Sequence, residues 1–220
     1  MSDALVVSLR VTLIALALSA PLGAVTGFAL ARGRGPVRAA LDAAVLVPLV
    51  LPPSVTGYYL LLSLGARSWA GAWLERAVGL RLVFTQTGAA VAAAVVALPL
   101  MAKGAEAAFA RVDRGLEEVA RANGLSASYT FWIVTLPLAA PGLAVALAVT
   151  AVRALGEFGA TLTFAGYAKG ETSTVPLELY VALQSGDEAR AGRLSLLLVI
   201  ASALAALSLG VWGRRAGSTR

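Results

Sequence analysis

The chain contains no histidine and no cysteine, so the side chains left to do chemistry are carboxylates, guanidiniums, amines and hydroxyls. The commonest general base, the commonest metal ligand, thiolate nucleophiles and disulfides are all missing. What remains is acid beside base, and hydroxyl beside proline, within long apolar stretches. In "VRALGEFGATLTFAG", Arg153 and Glu157 stand four residues apart, the spacing that puts two side chains on one helix face where they can pair. Ionisable groups at membrane depth are costly and usually point into a bundle or a wet pathway. Two readings stay open: a structural ion pair that fixes helix packing, or a segment that lines or gates the route of a solute. Gly156 and Gly159 allow close helix approach, while Thr161 and Thr163 add hydroxyls to the same block.

A second block, "VPLVLPPSVTGYYLL", crowds Pro48, Pro52, Pro53 and Gly57 into ten residues. Proline removes a backbone donor and clashes with the preceding turn, so a helix breaks or kinks here and its freed carbonyls need other partners. A broken helix suits a cavity wall, and a kink packed against its neighbours is the alternative. Ser54 and Thr56 either patch the broken backbone or offer hydroxyl donors to a passing solute.

The third block, "RVDRGLEEVARANGLSAS", is polar and lies between apolar runs. Residues Val112 to Asn123 read as a short helix, with Asp113 near its start and Gly124 where a left-handed cap ends it. Ala120 and Ala122 keep part of its surface small, and Glu117, Glu118 and Arg121 are expected to keep it wet. A short charged helix held by spans on both sides can slot into a groove on a soluble partner and pass force into the membrane.

The elements that must position these blocks are set by composition. With 59% apolar residues, 14% charged residues and a mean hydropathy of +0.81, the chain is an all-α membrane protein rather than a soluble one. A helix needs about 20 mainly apolar residues to cross the hydrocarbon. Five stretches qualify: Val11 to Ala31, Ala39 to Leu64, Phe84 to Ala102, Phe131 to about Ala151, and Leu194 to Trp212. The net charge of +6 does not indicate nucleic acid, because the basic residues are scattered in short loops between spans. Lys and Arg concentrate on the cytoplasmic side. Placing the polar block inside puts ten basic residues on that face, among them Arg32, Arg34, Arg38, Arg214, Arg215 and Arg220, against seven outside. The expected topology is N-terminus outside and C-terminus inside. The first span is read as retained rather than cleaved, since cleavage would leave "RGRGPVR" on the outer side.

The polar block resembles the coupling loop of ABC importer permeases, whose pattern is Glu-Ala-Ala, three residues, Gly, nine residues, Ile, one residue, Leu-Pro. Here it reads Glu118, Val119, Ala120, then Gly124, then Val134, Thr135, Leu136 and Pro137, with spacing kept and Val standing for Ala and for Ile. The blocks "VPLVLPPSVTGYYLLL", "ALPLMAKG", "LGEFGATLTFAG" and "KGETSTVPLELY" resemble the molybdate permeases in particular, and the related sulfate permeases share much of this layout.

The resemblance implies a type I importer architecture in a single permease domain, residues 1–220, with its coupling loop at about 103–130. It implies a homodimer with two ATP-binding subunits below and a molybdate-binding protein outside. ATP and Mg would be bound by the partner ATPase, and no cofactor by this chain, which lacks a G-x-x-x-x-G-K-[ST] phosphate loop. The docking residues would be Glu117 to Gly124 (Glu117, Glu118, Val119, Ala120, Arg121, Ala122, Asn123 and Gly124) with Leu136 and Pro137. The path or gate would use Pro52, Pro53, Ser54, Thr56, Arg153, Gly156, Glu157, Gly159, Thr161 and Thr163. On the outer face Arg67, Arg76, Arg81, Lys169 and Arg190 would either meet acidic patches on the binding protein or be solvated. An ion-coupled carrier is the rival from another class, with Glu157 as its one deep acidic group. An intramembrane enzyme is favoured less than the carrier, since no paired catalytic carboxylates, His or Cys occur within the spans.

Overall fold

The computed structural model describes residues 2–217, with side chains described as far as Leu204. In chain order the helices are α1 (Ser2–Arg32), α2 (Gly35–Val50), α3 (Pro53–Leu64), α4 (Trp69–Val78), α5 (Gln86–Ala110), α6 (Arg114–Ala122) and α7 (Ala127–Thr130). A π-turn at Phe131–Thr135 leads into α8 (Leu136–Leu155), followed by α9 (Gly159–Ala165), α10 (Val175–Gln184) and α11 (Glu188–Gly217). There is no strand among the described residues.

The bundle is built around α5, an alanine-rich helix capped at its start by Thr85, whose hydroxyl accepts from the Gly88 amide at 3.1 Å. Small residues let both neighbours come close. A Cβ on Gly23 or Gly27 of α1 would lie 2.5 Å from Met101 Cγ or Ala105 Cβ, and one on Gly104 of α5 would lie 2.5 Å from Ala146 Cβ of α8. Helices gain nothing from expelling lipid in favour of equally apolar side chains, so packing at this range is what holds them together.

The break expected at the prolines is real and sharp. A residue before a proline is biased away from the α region, and two such residues follow in succession here. Leu51 and Pro52 are accordingly extended (ψ 142° and 135°), and α2 and α3 meet at 110° with Pro53 as the first residue of α3. The stretch Ala39 to Leu64 therefore does not cross as one straight span. A second proline leaves a different mark. The ring of Pro137 crowds the carbonyl four residues back, and the chain widens into the π-turn, where the Leu136 amide reaches Phe131 O.

Three helices are long and apolar enough to cross a membrane: Ser2–Arg32, Gln86–Ala110 and the unit Ala127–Leu155 that includes the π-turn. The bent pair α2 and α3 makes four if it counts as one span. The fifth expected span falls within α11, and its side chains beyond Leu204, with Trp212, Arg214, Arg215 and Arg220, lie outside the described residues. The third span is displaced from its expected bounds. No proline follows Ala102 and Gly104 is accommodated against Ala146, so α5 runs on to Ala110, and Lys103 is a helix residue rather than the start of a loop. It pairs there with Asp42 of α2 at 2.9 Å and with Glu106, which also takes Arg38 at 2.7 Å.

Candidate functional site

The helix anticipated in the polar block forms as α6. Asp113 caps it by accepting from the Gly115 amide at 2.8 Å. Gly124 takes φ +88°, the Gly124 amide returns to Arg121 O (3.0 Å) and the Leu125 amide to Ala120 O (3.3 Å), the pair of bonds of a Schellman stop.

One expectation fails here. Glu117 is not wet but buried, because the turn of the helix points it at the bundle while Glu118 points away. Its Oε1 accepts from Arg32 Nη2 at 2.5 Å and from Thr135 Oγ1 at 2.7 Å. Arg32 ends α1 and lies over the Phe28 ring, and Phe28 packs edge-on against both Phe109 of α5 and Phe131 of the π-turn. Arg114 adds a bond to Ala31 O at 3.3 Å. One carboxylate thus ties α6 to the end of α1 and to the start of the α8 unit. Facing outward are Glu118, Val119 (61% exposed), Arg121, Ala122, Asn123 and Gly124, with Ala120 half-buried. Leu136 is half-buried, and Pro137 is exposed beside the π-turn it induces.

The two apolar blocks also meet. A Cβ on Gly57 of α3 would lie 2.7 Å from Ala160 O and 2.9 Å from Thr163 Cβ, and one on Gly159 would lie 3.2 Å from both Pro53 Cβ and Ser54 N. The broken hairpin and α9 are therefore in backbone contact. Arg153 and Glu157 pair at 2.7 Å, although α8 ends at Leu155 and Glu157 lies just past it. Glu157 is 3% exposed, and its other oxygen accepts from the Ala160 amide at 2.9 Å, so it also secures the first turn of α9. Gly156 is the exposed cap between the two. The four hydroxyls differ. Thr163 is satisfied by Gly159 O at 2.9 Å, Thr161 is buried and Ser54 is exposed, while the Thr56 hydroxyl is buried with no partner.

A third polar knot, for which the sequence suggests only outer-face charges at Lys169 and Arg190, closes the far end of the bundle. Glu178 is buried and takes Tyr167 OH at 3.0 Å and a short contact from Arg190. Arg190 is thus an internal partner, not a solvated outer charge. Thr172 bridges Gly166 O and the Ala168 amide, and Ser8 of α1 accepts from the Val175 amide at 2.8 Å. The signal available was the run of small hydroxyl residues before Val175-Pro176, which tie down a loop that lacks regular structure.

No group of three or more metal-ligating side chains occurs among the described residues.

Comparison with known proteins follows the same lines. The chain is 39% identical over 219 residues, 99% of its length and 95% of the relative's, to the molybdenum transport system permease protein ModB of Escherichia coli K12. It is 39% identical over 207 residues to ModB of Mycobacterium tuberculosis, covering 94% of this chain and 78% of that one. In fold it matches an inward-facing structure of the MetNI methionine ABC transporter with a TM-score of 0.67 at 20% identity, over 99% of this chain and 94% of the other. Residues 19–216 match the family described as "Binding-protein-dependent transport system inner membrane component", and the chain belongs to that family.

Proposed function

We propose that the chain is the membrane-spanning subunit of an importer that carries molybdate or tungstate into the cytoplasm, working as a homodimer on two ATP-binding subunits and receiving its oxyanion from an external binding protein. The specific ligand rests on the ModB relatives and on the four blocks that resemble the molybdate permeases. In this reading the chain has five spans with α6 at the cytoplasmic face, and ATP and Mg belong to the partner.

The observation that carries the mechanism is the two-sidedness of α6: its Glu117 is held inward by Arg32 and Thr135 while its other face is open. A helix fixed in this way cannot move without the ends of α1 and α8. When ATP draws the two ATPase subunits together, α6 of each copy is carried along and the bundles rotate as bodies between two openings. A tetrahedral dianion needs hydrogen-bond donors on its way through, and a tight cationic trap would slow its release. Thr56, with a buried and unsatisfied hydroxyl where the hairpin meets α9, is the foremost donor, followed by Thr161 and Ser54.

The test is to purify the chain with its ATPase in vesicles and compare ATPase stimulation and uptake with binding protein loaded with molybdate, tungstate or sulfate. Stimulation and uptake with the first two support the assignment. Sulfate acting alone moves it to the sulfate permeases, and uptake driven by an ion gradient without ATP removes it.

A further inference from the structure

α4 is too short, at ten residues, to cross a membrane, yet it carries two tryptophans at an i, i+4 spacing that nothing among the described residues covers: Trp69 is 84% exposed and Trp73 55%. Arg76 falls on the same stripe, seven residues after Trp69, and Arg67 and Arg81 flank the helix, all three exposed. The opposite side of α4 is occupied. Gly71 sits so close to α3 that a Cβ there would lie 2.1 Å from Gly65 O, Leu74 packs on the cluster of Leu82, Val83 and Phe164, and Ser68 caps the helix while bonding Ser63 O and Gly65 O.

Chain continuity fixes where this stripe lies. Only residues 65–68 separate α4 from the apolar α3, and residues 79–85 separate it from α5, a spanning helix. Four extended residues reach about 14 Å at most, and the observed turn is folded back rather than extended. α4 is thus held at the end of two apolar helices, at the boundary between hydrocarbon and water. At that depth, tryptophan and arginine are the pair that suits a lipid surface: the indole is apolar with one polar edge, and the guanidinium can lie along its own stem and take phosphate oxygens two at a time.

We infer that α4 is an interfacial anchor whose Trp69–Trp73–Arg76 stripe lies in the headgroup layer, with Arg67, Arg76 and Arg81 binding the phosphates of anionic phospholipid. The anchor sets the depth of the hairpin of α2 and α3 in the bilayer, and with it the depth at which the bundle rotates. This assignment concerns the membrane surface and stands whichever solute is transported.

The test uses the full chain with Trp132→Phe and Trp212→Phe, so that Trp69 and Trp73 are the only reporters, in vesicles of phosphatidylcholine or of equal phosphatidylcholine and phosphatidylglycerol. The expected result is blue-shifted emission, loss of most of that emission when the acyl chains are brominated, and little quenching by aqueous iodide. Arg67→Gln, Arg76→Gln and Arg81→Gln together should abolish the extra shift given by phosphatidylglycerol while leaving bromine quenching in place. Emission at the wavelength of water-exposed indole with full iodide quenching in both vesicles would overturn the inference. So would indoles that become shielded only when the external binding protein is added, which would make the stripe its docking surface instead.

Discussion

Thr135 Oγ1 donates a 2.7 Å hydrogen bond to Glu117 Oε1, and the same oxygen takes Arg32 Nη2 at 2.5 Å, so three segments far apart in sequence converge on one atom. Removing that carboxylate should therefore free α6 without disturbing its own capping. Breaking a buried ion pair from one side costs about 3–5 kcal/mol in full burial, and because Arg32 keeps some exposure here the expected loss for Glu117→Ala is about 1–3 kcal/mol. In transport terms, ATP hydrolysis should continue while uptake falls. Arg32→Met combined with Glu117→Met should recover part of the stability. A double-mutant cycle on thermal unfolding in detergent that shows no coupling would remove the link.

The outward face of α6 should behave in the opposite way. Val119 is mostly exposed, so Val119→Asp should change stability by less than about 0.5 kcal/mol. If this face docks on the ATPase, that charge should release the partner during purification. An ATPase that still co-elutes in normal amount would place the docking surface elsewhere.

Gly124 separates backbone from packing. A Cβ there meets nothing within 4 Å, but φ +88° disfavours any other residue. Gly124→Val should cost on the order of 1–2 kcal/mol through the backbone alone, and Gly124→Asn distinctly less. Loss of coupling should follow the same order, Val worse than Asn. Equal activity in both variants would mean that the Schellman stop has no part in transmission.

Gly57 should be intolerant for the reverse reason. Even Gly57→Ala places a methyl 2.7 Å from Ala160 O, so α3 and α9 must part, with an overpacking cost of about 1–3 kcal/mol. Gly192→Ala, with open space around it and an ordinary helical backbone, serves as the control and should be neutral or slightly stabilising. Thermal unfolding of the two variants side by side decides the matter.

For the Arg153–Glu157 pair, Glu157→Gln keeps a hydrogen-bond acceptor for the Ala160 amide and loses only the charge, whereas Arg153→Ala leaves a buried carboxylate unpaired. The second should be the more destabilising by about 2 kcal/mol or more. Neither should change the response of uptake to a proton or sodium gradient. A gradient dependence that disappears in Glu157→Gln would favour an ion-coupled carrier.

The elements with a local cause were legible in the sequence. Asp113 and Gly124 bracket α6 because capping depends on residue type at the ends, and Pro52-Pro53 announced the break because proline acts on its own neighbours. Arg153 and Glu157 pair, as their spacing allowed, although α8 ends at Leu155 between them. The failures are of another kind. That Glu117 turns inward and Glu118 outward depends on where Arg32 lies, a partner 85 residues away in the chain, and adjacent glutamates carry no local mark to tell them apart. Arg190 reads as a surface charge in the sequence, because its partner Glu178 comes within reach only once α10 and α11 fold together. The end of α5 lies beyond the boundary that a charged residue suggests, because Lys103 and Arg38 together neutralise Glu106 and Asp42 where α5 meets α2.

The contact of Gly23 and Gly27 with α5 also has a practical side for spectroscopy. Since α1 puts no side chain of its own against Met101 and Ala105 of α5 at these two positions, a spin label or dye on that seam would wedge the pair apart and report its own damage. Leu13, Leu22 and Val25 point away from the seam and are exposed, so probes attached there should follow α1 and α5 as one rigid rod. In the proposed homodimer, distances measured between the two copies of such a labelled chain would trace the stroke of the transporter directly.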